Sequence, residues 1–253
     1  MRKRLTWTVV LAAFAAVAFA AVAIAAKPTI IRMGNLILTV NGDFAPKKLF
    51  KTKLSPVKLN VSGNLKTADG THPAALREVV VDFDKNAAND VSGLPVCTQA
   101  KLVATDTKTA KKQCGPSIVG EGSTEVKVEF PEQKPFSARG PLVFFNGGKK
   151  GGKITLFIHA YVAVPAPTAL ITTTTISKQR SGRYGLHTVS KIPVIAGGSG
   201  SVISFDFTVN KKLDDYAQAK CPDGHLNARV TKALFDDGTN GSGTFVRSCT
   251  PKG

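Results

Sequence analysis

Gly147-Gly148-Lys149-Lys150-Gly151-Gly152-Lys153-Ile154 has the GxxxxGK spacing of a phosphate-binding loop. That chemistry needs a hydroxyl after the lysine to hold magnesium, and a helix whose N-terminus meets the phosphates. Ile154 stands in the hydroxyl position and a strand-like run follows it, so the segment reads as a glycine-rich hairpin loop. A second pattern offers a hard cation its oxygens. Asp82, Asp84, Asn86 and Asp90 fall at positions one, three, five and nine of a calcium loop. Ala87 occupies the place where that loop turns on glycine, and Gly93 replaces the closing bidentate glutamate. The same residues also read as an acidic turn after a strand.

His72, His159, His187 and His225 are scattered without metal-ligand spacing. No GxSxG elbow is present, and Gly198-Ser199-Gly200 and Gly241-Ser242-Gly243 are shorter, turn-like pieces. His159 lies in an apolar run, where a hydrogen-bonded core histidine is the ordinary outcome. Lysines gather in three places: Lys47, Lys48, Lys51 and Lys53; Lys108, Lys111 and Lys112; and Lys149, Lys150 and Lys153. Such groups attract anions over distances that salt shortens. On exposed strands and loops, lysines also serve solubility alone.

The elements that position these residues are read from the start of the chain. Arg2, Lys3 and Arg4 precede an apolar run from Leu5 to Ala26, and Ala23-Ile24-Ala25 offers small residues for cleavage. Residues 1–26 are therefore expected to be a secretory signal peptide, or else an uncleaved anchor. Either way the remainder lies outside the cytoplasmic membrane. The full chain has 34 Lys+Arg against 17 Asp+Glu, and losing the three basic residues of the leader lowers the formal charge from +17 to +14. Trp7 is the only tryptophan, so a sugar-stacking surface beyond the leader is disfavoured.

Cys97, Cys114, Cys221 and Cys249 make an even count in an exported chain and read as two disulfides. Of three connectivities, Cys97–Cys114 and Cys221–Cys249 are favoured because each closes a short segment. Period-two alternation dominates the rest: Val57, Leu59 and Val61; Val126, Val128 and Phe130; Ile203, Phe205, Phe207 and Val209. Val79–Phe83, Leu142–Phe145 and Ile154–Val164 are more evenly apolar and suit central strands. Asn41-Gly42, Asp69-Gly70, Asn146-Gly147, Asp237-Gly238 and Asn240-Gly241 supply turns. A helix is expected over Thr98–Lys112, capped by Thr98. Residues 27–55 form a basic, weakly patterned N-terminal segment, a linker or edge. Residues 56–253 are expected to be all-β: an antiparallel β-sandwich with one or two short helices.

HPAALREVVVDFDKN (72–86), GLPVC (93–97), VFFNGG (143–148), HAYVAVP (159–165) and RYGLHTVSKIPVIAGGSGSVISFDFTV (183–209), taken in order, resemble a group of uncharacterised exported bacterial β-proteins. The resemblance covers roughly residues 56–253. It implies an exported β-rich domain and carries over no activity and no functional residue.

The expectation is a secreted or envelope-associated, non-enzymatic protein. It would contact an anionic envelope polymer or lipid headgroups through Lys47, Lys48, Lys51, Lys53, Lys149, Lys150 and Lys153. No cofactor is expected. Specific nucleic-acid binding is not expected, since neither a stacking platform nor a groove-reading helix is visible. The alternatives are a secreted hydrolase using His159 or His187 with nearby acids, and a carrier holding an apolar ligand between sheets.

Overall fold

The computed structural model describes residues 27–163, 166–210 and 214–253; the leader expected over residues 1–26 lies outside them. Alternating side chains leave one face of each strand to be buried, and here most of the strands bury it together. Among the described residues twelve strands form one antiparallel sheet: β1 (Thr29–Met33), β2 (Leu36–Ala45), β5 (Lys58–Thr67), β13 (Gly200–Val209), β8 (Ile118–Val128), β9 (Phe136–Lys150), β10 (Lys153–Val162), β11 (Thr168–Ser181), β12 (Tyr184–Lys191), β6 (Leu76–Asp84), β15 (His225–Phe235) and β16 (Asn240–Ser248), in that spatial order. The all-β antiparallel architecture therefore holds, and its facing layers belong to one continuous sheet that curls until its two edges nearly meet. At that seam β16 presents glycines to β1: a Cβ on Gly241 would lie 2.0 Å from Met33 Sδ, and one on Gly243 would lie 2.8 Å from Ile31 Cδ1. Arg247 of β16 adds hydrogen bonds to the carbonyl oxygens of Gly42 and Lys27.

Residues 27–55, weakly patterned in sequence, supply an edge strand of this sheet and its neighbour. β2 pairs with β5 over ten positions, from Leu36 opposite Thr67 to Ala45 opposite Lys58. Ile31, Met33, Leu36, Leu38 and Leu65 then join Val230, Ala233, Phe235 and Phe245 in one apolar cluster across the seam.

The even apolarity of β9 and β10 has a structural cause: both faces are covered. Phe144 and Leu156 point into the barrel with Val119, Val209 and Tyr216, where Phe144 and Phe207 pack at 4.8 Å. Val143, Phe145 and Phe157 point outward and are roofed by Cys97, Leu102, Ala110 and Cys114. The roof holds the one α-helix among the described residues, α1 (Thr107–Cys114). The helix expected from Thr98 is shorter and begins later. Asp106 caps it, its side chain accepting from Thr109 N at 2.7 Å, while Gln99–Lys101 forms only a 3-10 turn. Apolar Leu102 is pinned beneath the roof and fully buried, which suits an irregular turn better than a solvent-facing helix.

Cys97–Cys114 and Cys221–Cys249 are both bonded, with Cα separations of 5.5 and 6.2 Å. Two disulfides and no free thiol among the described residues place the fold in an oxidising, non-cytosolic compartment. The second bridge packs with Phe44, Leu49 and Val57, and beside it β17 (Thr250–Lys252) runs parallel to β3 (Lys48–Phe50). Three further short strands, β4 (Ser55–Pro56), β14 (Ala217–Ala219) and β7 (Ala87–Asn89), form a small sheet. Asn210, at φ 59°, holds this sheet to the barrel. Its Nδ2 lies 2.9 Å from Val57 O, 2.6 Å from Asp214 O and 3.0 Å from Ala217 O.

Candidate functional site

The strand registers give the barrel two unlike ends. One is the hairpin end, where β9 turns into β10 with Lys150 opposite Lys153. Following the antiparallel pairings around the sheet, Ala45 and Lys58, Asp84 and Tyr184, Val209 and His225 all lie at this end. The segment Lys47–Lys53 connects β2 to β5 there, so Lys47, Lys48, Lys51 and Lys53 share an end with Lys149, Lys150 and Lys153. Lys85, Lys178, Arg183, Lys220 and Lys252 belong to connections or strand ends on the same side. Lys47 pairs with Asp43 and lies over the Phe44 ring, and Lys252 lies over Phe50 at 3.9 Å. Among the described residues Lys48, Lys51, Lys53, Lys149, Lys150 and Lys153 form no ion pair within 4.0 Å. The third lysine group lies on α1, within the connection from β6 to β8, where Lys111 pairs with Glu121.

At the other end, the connections 68–75, 129–135, 192–199 and 236–239 carry Asp69, Glu129, Glu132, Asp236 and Asp237 against Lys134 alone. The connecting loops are thus lysine-rich at the hairpin end, which also carries Asp90, Asp214, Asp215 and Asp223, and acidic at the opposite end, where the adjoining strand ends carry Arg32, Lys66, Arg77, Lys127 and Lys191.

The acidic end holds a cavity of about 490 Å³, lined by Met33, Leu36, Thr71, His72, Ser201 and Asp236 among others. Its wall brings together a serine, a histidine and an acid. Ser201 Oγ lies 3.1 Å from His72 Nε2, and His72 Nδ1 lies 3.3 Å from Glu129 Oε2. The hydrogen-bond directions decide what this can do. Ser201 is 1% exposed and donates its one proton to Pro73 O at 2.6 Å, so it accepts from the imidazole N–H on Nε2. A neutral ring then has a bare Nδ1 facing Glu129, and Nδ1 makes no hydrogen bond. Activating a serine requires the opposite tautomer, with Nε2 free to take the hydroxyl proton. Burial pushes the His72 pKa down, with Glu129 opposing it in part, which also favours the neutral ring. The trio fastens the 68–75 crossing to β13.

His187 has the acid that the hydrolase alternative asked for. Its Nδ1 lies 2.7 Å from Asp82 Oδ1, and Arg229 Nη2 donates to Asp82 Oδ2 at 2.7 Å, with Tyr184 under the guanidinium at 4.4 Å. Burial alone would raise the Asp82 pKa, but the hydrogen bonds from Arg229 and His187 outweigh it and hold the carboxyl below its usual range. Asp82, His187 and Arg229 meet because β12 and β15 flank β6 in register, with His187 and Arg229 both opposite Asp82. Ser177, opposite His187 on β11, donates its hydroxyl to the His187 backbone carbonyl at 3.4 Å and not to the ring. His159, the other candidate, is fully buried under the α1 roof. Its Nε2 meets Thr105 O at 2.9 Å, and burial lowers its pKa.

The oxygens proposed for calcium are already engaged. Asp84 accepts from Asn86 N at 3.0 Å and from Asn227 N and Nδ2 at 3.1 and 2.9 Å, and Asp90 accepts from Ser92 N at 2.9 Å. Among the described residues no three His, Cys, Asp or Glu side chains converge as metal ligands. A small polar pocket of about 200 Å³ lies beside Asp84, with Lys85, Arg183 and His225 on its wall. Sequence reading did not single it out, because its residues come from three distant connections.

No protein-family model, no curated protein and no solved structure matches the chain. The functional reading therefore rests on its own residues.

Proposed function

We propose that this is an exported envelope or extracellular protein that binds anionic material through the lysine loops at the hairpin end of its barrel. The observation supporting this reading is the shared end: two lysine groups roughly a hundred residues apart in sequence are carried to one side by the strand registers. Clustered cations that outnumber the carboxylates around them produce a field that a polyanion meets as one surface. Phosphate-rich wall polymer and lipid headgroups both supply the required charge.

Retention of the purified protein on immobilised polyphosphate, measured across a sodium chloride gradient, tests the reading. Binding that weakens steadily with salt is expected. Binding indifferent to salt, or none at low salt, overturns it. Replacing Lys48, Lys51, Lys53, Lys149, Lys150 and Lys153 with glutamine should abolish retention at moderate salt, whereas neutralising the acidic end should strengthen it.

A further inference from the structure

The hairpin end carries more than charge. Leu54, directly after Lys53, is 38% exposed, and Val96, packed over Gly148 beside Lys149, is 55% exposed. Each apolar side chain stands next to one of the two lysine groups, whereas Val194, 59% exposed at the cavity end, stands in a connection that carries no lysine. Lysines around protruding apolar residues are what an interfacial membrane surface needs: the cations meet anionic headgroups, and the apolar tips enter the acyl boundary. A soluble polyanion gains nothing from Leu54 or Val96.

The path of the chain points the same way. β1 runs from the hairpin side at Thr29 down to Met33 at the cavity end, where it turns into β2. Lys27, which precedes it, is tied by its carbonyl to Arg247 of β16, one residue before Ser248, the partner of His225 at the hairpin end. Lys27 and the start of β1 thus lie on the lysine side of the seam.

We infer that the hairpin end docks on the anionic outer face of a lipid bilayer, with Leu54 and Val96 as the inserting side chains. This rests on the anion-binding reading and narrows it to one partner. Lysines held near such a surface add to the attraction, and the apolar tips distinguish lipid from any other phosphate source.

The test compares protein spanning residues 27–253 on phosphatidylglycerol–phosphatidylcholine vesicles, on pure phosphatidylcholine vesicles, and on immobilised polyphosphate. Binding to the anionic vesicles is expected, with little to neutral ones. L54Q/V96Q should lower vesicle partitioning on the order of ten-fold while leaving polyphosphate retention unchanged. A fold check by near-ultraviolet circular dichroism accompanies the variant, and K48Q/K51Q, which alters no apolar residue, gives a second series. Retention on polyphosphate without vesicle binding, or vesicle binding indifferent to L54Q/V96Q, overturns the membrane inference and leaves anion binding standing. Failure to bind either surface overturns both.

Discussion

The two ends of this barrel are built from the same material, loops joining antiparallel strands, and do opposite things with their polar residues. At the acidic end the side chains are spent on one another. Asp236 accepts from Ala75 N at 2.9 Å and pairs with Arg77 at 2.9 Å, Ser201 holds Pro73, and His72 sits between Ser201 and Glu129. At the hairpin end the disulfide and the small sheet hold the backbone, and six lysines are left without an ion-pair partner. A serine, a histidine and an acid in one cavity are the more eye-catching arrangement, yet the Ser201 proton is committed to Pro73 O and His72 Nδ1 is left without a partner. The plain lysine loops are where unmet interaction remains. Proximity of reactive types is a weaker guide than which donors and acceptors are still free.

The largest way to break this contrast is to exchange the charges. At about 1 kcal/mol per lysine near an anionic surface, neutralising all six loop lysines should weaken binding more than a hundred-fold at low salt. D69N/E132Q/D237N should leave binding equal or tighter. A gain from D69N/E132Q/D237N as large per charge as the loss from the lysine variant, read by vesicle sedimentation, would mean that net charge and not the lysine end carries the binding.

Next in size is the bridge that holds the lysine loops. C221S/C249S opens a 28-residue separation and is expected to cost about 3.5 kcal/mol of stability by loop entropy. C97S/C114S, with a separation of 17, should cost about 3 kcal/mol. Urea unfolding checks both, and only the first pair should also loosen anion binding. A smaller effect is expected at the cavity. S201A removes a buried hydroxyl that links His72 and Pro73, and should cost about 1–2 kcal/mol. No loss of anion binding should accompany it.

The smallest effect concerns pH. Burial lowers the folded-state pKa of His72 and His159 below their ordinary value of about 6.5. The unfolded chain then binds more protons than the folded one, so stability is retained above that value and declines as pH falls through the depressed folded pKa. Melting temperature should drop between neutral pH and pH 5, and less so in H159Q. An unchanged slope in H159Q would place the titration elsewhere.

Much of the fold was legible because alternation is a direct image of a half-buried strand. Ile203–Val209 lies within β13, with Phe207 packed on Phe144. The even apolarity of Leu142–Phe145 marked strands buried on both faces, though the α1 roof that buries them was not visible. The helix start was misplaced because Thr98 and Asp106 are both good caps, and only the burial of Leu102 separates them. Residues 27–55 hid two strands of the large sheet, since the value of Leu36 and Leu38 depends on Val230 and Phe245 from the far side of the seam. The site was harder still. His72 and Ser201 are 129 residues apart, and nothing in local spacing joins them. The three lysine groups were visible, but their common or separate placement follows from the order in which strands cross the barrel, which turn residues do not encode.

Hydrogen–deuterium exchange on phosphatidylglycerol-containing vesicles tests the polarity of the barrel most directly. Amides of residues 46–56 and 146–154 should slow on binding, while those of 68–75 and 129–135 keep their free rates. Slowing at the cavity-end peptides, or none at the hairpin end while the protein stays bound, would contradict a lysine-end contact.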